Sequence, residues 1–134
     1  MKNAMRKSLV VALLLVASSS ESAEWVKVGS SAIFTAYADI AAIRRQGELV
    51  KMWHVYDFKT SQRTDAGKAF MSIMAQEEYD CKEERWRTLH ESYHSGNMRS
   101  GETIDTVSSG LGRWEPIPPD SVGKALWILA CSKR

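Results

Sequence analysis

His90-Glu91-Ser92-Tyr93-His94 is the run in this chain whose residue types and spacing best match a catalytic centre. On an α-helix, residues four apart share one face. The two imidazoles of H-E-x-x-H could then hold zinc while the glutamate between them serves a peptidase as general base. A helix has some support here, because Trp86, Leu89 and Tyr93 fall at spacings of three and four and Gly96 could end it. The extended form of the motif fails, since Asn97 and Ser100 occupy its later positions. Glu115 is the one downstream carboxylate at a useful distance for a third ligand, and it sits beside Pro116. If the segment is a strand, the histidines stand about 13 Å apart and no centre forms. The strand is the expected state, with no cofactor, metal or catalytic residue; a small zinc peptidase built on His90, Glu91 and His94 is the alternative.

Other reactive side chains are sparser. His54 lies inside a strand-like run between Trp53 and Val55, where a lone histidine is expected to be a hydrogen-bonded sheet residue. No G-x-S-x-G elbow exposes a serine nucleophile. Ser109-Gly110-Leu111-Gly112 is too short for a phosphate-binding loop and precedes no clear helix. Lys82, Arg85 and Arg87 form a basic cluster diluted by Glu83, Glu84 and Glu91. On a strand, Arg85 and Arg87 share a face and could meet an acidic partner, or else make ordinary cross-strand ion pairs. Of the five tryptophans, Trp25, Trp53 and Trp127 are expected in the core. Trp86 and Trp114 are the better candidates for an interface contact.

The elements that must position these groups begin after a leader. Lys2, Arg6 and Lys7 precede an apolar run over residues 9–17, followed by small and polar residues to Ala23. That is the layout of a secretory signal peptide over residues 1–23, too short to span a bilayer. Cleavage is expected after Ala23 or Ser22, and no cysteine at the junction offers a lipid-anchor site. Residues 24–134 then form a single domain. Removing three basic residues and one acid from the 18 and 16 of the whole chain leaves 15 of each. A formally neutral domain without a clustered basic face argues against a nucleic-acid partner. Cys81 and Cys131 are the only cysteines, and in an oxidising compartment they most simply pair. A bridge closing a loop of about 50 residues is worth roughly 4 kcal/mol in the chain-entropy model.

Residues 24–28 (EWVKV) alternate and predict a strand, with Gly29-Ser30 as a turn and a second strand over 31–37. Residues 38–45 read as one helical turn or a loop, and residues 49–58 (LVKMWHVYDF) are the most strand-like run. Residues 59–68 are polar and read as an exposed loop, and residues 69–79 as a strand leading into Cys81. Gly96-Asn97 and Gly101 bracket a turn before a strand over 103–108. Prolines 116, 118 and 119 keep residues 114–121 extended. The last element is a helix capped by Asp120 or Ser121, with Val122, Ala125, Leu126 and Leu129 as its buried stripe. The class is α+β, an antiparallel sheet carrying a C-terminal helix.

Tyr79-Asp80-Cys81, the stretch Trp114-Glu115-Pro116-Ile117-Pro118-Pro119-Asp120-Ser121 and the late Cys131 form a recognisable set. With Trp25, Asp39, Ile43-Arg44 and Trp53, it resembles the surface-adhesin protein E family of Gram-negative bacteria. The resemblance implies about six antiparallel strands, a helix packed on them, and the Cys81–Cys131 bridge. It also implies an exported, periplasmic or surface-located binding module for a protein partner, such as the matrix proteins vitronectin and laminin. An envelope enzyme is another partner class. The partner-binding residues expected on this reading are Arg85, Trp86 and Arg87, and a homodimer through a strand edge is compatible with it.

Overall fold

The computed structural model describes residue 12, residues 22–108 and residues 112–132. Almost all of the expected signal segment, and residues 109–111 of the glycine-containing loop, lie outside the described residues. Among the described residues eight strands form one antiparallel sheet: β1 (Trp25–Ser30), β2 (Phe34–Asp39), β3 (Arg44–Gln46), β4 (Leu49–Arg63), β5 (Ala69–Asp80), β6 (Arg85–His94), β7 (Thr103–Val107) and β8 (Glu115–Pro116). The main path runs β1-β2-β4-β5-β6-β7, the six strands expected. The two short additions pair at its margins, β3 with β4 and β8 with β6. The helix α1 (Val122–Ser132) follows.

Two segments depart from the sequence reading. Residues 59–63 belong to β4, not to a loop, and the register shift between Asp57 and Gln62 marks where the strand bends. Their polarity misled because both faces of that strand end are wet. Gly29-Ser30 stays within β1, with a bulge between Lys27 and Gly29 in place of a turn. The ambiguous residues 38–45 combine both alternatives: Asp39 caps a 3₁₀ turn over Ile40–Ala42 by accepting from the Ala41 N–H, and β3 follows.

Alternation along β4 sorts the two faces. Val50 and Met52 turn inward with Tyr79 of β5, Ala38 of β2 and Ile117, and α1 closes this core with Leu126 and Ala130. The N-terminus of α1 is capped by Ser121, whose Oγ accepts from the Lys124 N–H at 3.0 Å. Burial of Leu126 alone contributes about 1.5–3 kcal/mol. Gly123 is in the buried stripe because Trp86 lies against it: a Cβ built there would meet the indole Cη2 at 2.8 Å. We therefore expect Gly123→Ala to lower stability by about 1–3 kcal/mol, overriding the roughly 1 kcal/mol gain in helix propensity. Urea denaturation at fixed pH checks it, and a stabilised variant would show that the indole moves aside freely.

The disulfide joins Cys81, just past β5, to Cys131 in the last turn of α1, with Cα atoms 5.6 Å apart. Trp127 reaches the same corner, its Nε1–H donating to the Asp80 carbonyl at 2.9 Å. Among the described residues no helix is long and apolar enough to cross a membrane.

Candidate protein-recognition face

The histidine motif falls on β6, and a strand takes it apart. A bulge leaves Leu89 without a register partner, since Gln76 pairs with His90 while Glu77 pairs with Thr88. Beyond it His90 and His94 share the face turned away from α1, and Glu91 points to the helix side. His90 shares a 2.7 Å hydrogen bond with the Ser108 hydroxyl and stands edge-on to Trp53, ring centroids 5.5 Å apart. His94 is buried and shares a 2.8 Å hydrogen bond with Ser92. Burial, helped by the Arg99 charge, lowers its pKa. Glu91 accepts from the Tyr93 hydroxyl at 3.0 Å. Among the described residues no three histidine, cysteine, aspartate or glutamate side chains converge on a metal position.

The helix-distant face near the disulfide corner is different in kind. Arg85 donates to Asp80 at 3.0 Å across β5 and β6, and Arg87 donates through Nε to Glu78 at 2.8 Å. Both guanidinium groups lie over the indole of Trp114, at 4.7 and 4.3 Å from its centroid. Burial would raise the Asp80 carboxyl. The Arg85 hydrogen bond, the backbone N–H groups of Glu83 and Lys82 and the Arg85 charge outweigh it and hold the pKa below its usual value. The Arg87 side chain is 16% exposed and its carboxylate partner 8%, so that pair is a built part of the sheet. The Arg85 side chain is 41% exposed and remains presentable. Trp86 points the other way, against Gly123 and Tyr79. Its indole thus serves the core.

Trp114 was visible in the sequence only as an interface candidate. Its position between two arginines depends on β8, which pairs Glu115 with Trp86 and Pro116 with Arg85. Trp53 and Trp25 lie outside the main core: Trp53 is half-buried against His90, and Trp25 is partly covered by Arg99, 5.0 Å from its ring centroid. Trp127 packs on the core as expected.

Two buried titratable groups lie on the helix side. His54 is fully buried, and among the described residues neither ring nitrogen has a hydrogen-bond partner, unlike the bonded sheet histidine expected. Burial pushes its pKa down to about 4. Glu77 accepts from the Thr88 hydroxyl at 3.1 Å, and burial, with Glu91 and Glu115 nearby, lifts its carboxyl to about 7. A signal for Glu77 existed: adjacent Glu77 and Glu78 in one strand put a carboxylate on each face.

The span from β1 to the end of the bridged helix is matched, over residues 25–132, by the family model for surface-adhesin protein E. The chain belongs to the surface-adhesin protein E family. It resembles the crystal structure of protein E from non-typeable Haemophilus influenzae with a TM-score of 0.58 at 10% identity, over 84% of this chain and 78% of that one. A second crystal form of Haemophilus influenzae protein E gives 0.56 at 10% identity, over 80% and 96%. At that identity the structural likeness establishes the fold alone. No curated protein matches this chain at a significant level. Family membership makes this an adhesin-like protein.

Proposed function

We propose that this protein is an exported protein-recognition module, delivered by a signal peptide over residues 1–23 and working in the periplasm or at the cell surface. Its partner is another protein, for which the matrix proteins vitronectin and laminin are the first candidates. The observation that carries this reading is the family match over residues 25–132. A partly exposed Arg85 and a Trp114 held beneath two guanidinium groups supply the kind of contact such a surface uses. A disulfide between the only two cysteines suits an oxidising compartment.

The test is surface plasmon resonance of mature protein over immobilised vitronectin and laminin. Arg85→Glu combined with Trp114→Ala leaves the buried Arg87–Glu78 pair in place, and it is expected to weaken binding about thirtyfold, the scale of one interface hot spot. Undiminished binding by a folded double variant would remove this face from the reading. Absence of binding to any matrix or envelope fraction would remove the reading itself.

A further inference from the structure

On the face of the sheet that carries α1, but away from the helix, an open cleft of about 430 Å³ lies between the tip of the β4–β5 hairpin and β7. Register fixes its floor. Ile73 pairs with Tyr93 and Tyr93 with Asp105, while in the next row Glu91 pairs with Val107. All five side chains therefore project to one side of the sheet. The hairpin, past the bend in β4, brings Arg63 and Asp65 to the wall. Buried Phe70 stands edge-on to Tyr93, ring centroids 5.0 Å apart, and Val107 is 47% exposed.

The carboxylates around this aromatic floor lack cations. Asp65 and Asp105 are exposed, and among the described residues neither they nor Glu91 has an ion-pair partner. Asp105 accepts only from the adjacent Thr106 N–H, at 2.8 Å. Burial, the hydrogen bond to Glu91 and the charges of Glu91, Asp105 and Asp65 raise the Tyr93 hydroxyl to about 12, so all three carboxylates act on this spot. Arg63 is the one cation in the lining, and it is turned to its own hairpin, where it donates to the Gly67 carbonyl at 2.9 Å. Among the described residues no cation lies over Phe70 or Tyr93. On the opposite face the chain completes the same combination itself, since Arg87 lies over Trp114 and donates to Glu78. The cleft holds the ring and the carboxylates without the guanidinium.

We propose that the cleft receives an arginine side chain of a protein partner, its guanidinium against Tyr93 and bonded to the Asp65 and Asp105 carboxylates. The inference rests on the protein-recognition reading and names the group the partner presents. Charge complementarity sets the sign of the occupant. A planar fork that both bonds carboxylates and stacks on a ring suits this wall better than a compact ammonium. Ile73 and Val107 offer apolar surface to the arginine stem.

The experiment is an NMR titration of isotope-labelled mature protein with N-acetyl-arginine methylamide at low salt, with the neutral citrulline analogue as control. Saturable shifts are expected at the amides of Tyr93, Asp105 and Val107, in the millimolar range open to a single side chain, and none from the citrulline compound. Joint Asp65→Asn and Asp105→Asn substitution is expected to weaken this binding about tenfold, and to weaken matrix-protein binding in surface plasmon resonance by a similar factor. Both sites are exposed, and an unchanged thermal melt verifies the fold. Failure to saturate, equal binding of the citrulline compound, or indifference of either ligand to the double substitution would each overturn the proposal. So would tighter cleft-dependent binding of the lysine analogue or of a free polyamine such as spermidine. If the parent binds a matrix protein while the arginine compound fails, the cleft alone is wrong. If no matrix or envelope fraction binds either, the recognition reading falls with it.

Discussion

Mature protein with Cys81 and Cys131 both changed to serine is expected to lose about 4 kcal/mol of unfolding free energy, the entropic value of a loop this long. For a domain whose whole stability is about 5–15 kcal/mol that is a large share. The melting temperature should fall by on the order of 20 °C. The reason is local as well as entropic. α1 has eleven residues, too few to persist alone in water, and only Gly123, Leu126 and Ala130 of it are fully buried. Without the bridge, the second half of α1 keeps Ala130 buried, Trp127 bonded to the Asp80 carbonyl and a 3.4 Å hydrogen bond from Arg45 to the Cys131 carbonyl. Calorimetry and urea titration of the double variant decide it. A loss below about 1 kcal/mol would mean that apolar packing alone seats the helix.

Two buried groups, Glu77 and His54, are expected to tilt stability in opposite directions between about pH 4.5 and 6.5, so that their joint contribution is nearly level there. Glu77 titrates near 7 in the fold against an ordinary value of 4.5, so the folded state keeps a proton that the unfolded chain releases. The stability this confers is complete below pH 4.5 and is lost as pH rises through 7. His54 titrates near 4 in the fold against an ordinary 6.5, and so remains neutral where the unfolded chain takes up a proton. Its contribution is complete above pH 6.5 and is lost as pH falls through 4. Each group changes stability by about 1.4 kcal/mol per pH unit, about 3 kcal/mol over its range. Where the ranges overlap the two slopes cancel.

Glu77→Gln should therefore uncover a fall in stability toward acid, and His54→Gln a fall toward neutral pH. Urea titrations of parent and both variants at several pH values read this directly. The differences from the parent isolate these two groups from the surface carboxylates common to all three proteins. Superimposable profiles for parent and Glu77→Gln would show that Glu77 does not titrate in this window.

Much of the architecture was legible because β4 alternates over its central residues and β5 opens on an apolar run that leads into Cys81, and because Pro116, Pro118 and Pro119 allow little besides an extended approach to a capped helix. Residues 59–63 were illegible for the same reason in reverse. A strand tail wet on both faces carries no alternation, and nothing in Lys59–Thr60–Ser61–Gln62 distinguishes it from a loop. The histidine motif was ambiguous on physical grounds, since apolar residues three and four apart also fit a bulged strand once Leu89 steps out of register. Arg85 and Arg87 could be placed on one face by counting. Which of them is committed could not, because that depends on Glu78 and Asp80 arriving from β5 and on Trp114 arriving through β8. The short strand β3 was hidden more completely, as it was not separable from the turn before it.

The strand order β1-β2-β4-β5-β6-β7 is also the order of synthesis. A chain delivered amino end first thus offers each main strand its neighbour as the next stretch to emerge, so the sheet can assemble from hairpins of short sequence separation. Only α1 must travel back to β1 and β4, and oxidation of Cys131 must wait for it. The growing sheet consequently carries an uncovered apolar face until the final residues arrive, and that interval is when a holding chaperone would be needed most.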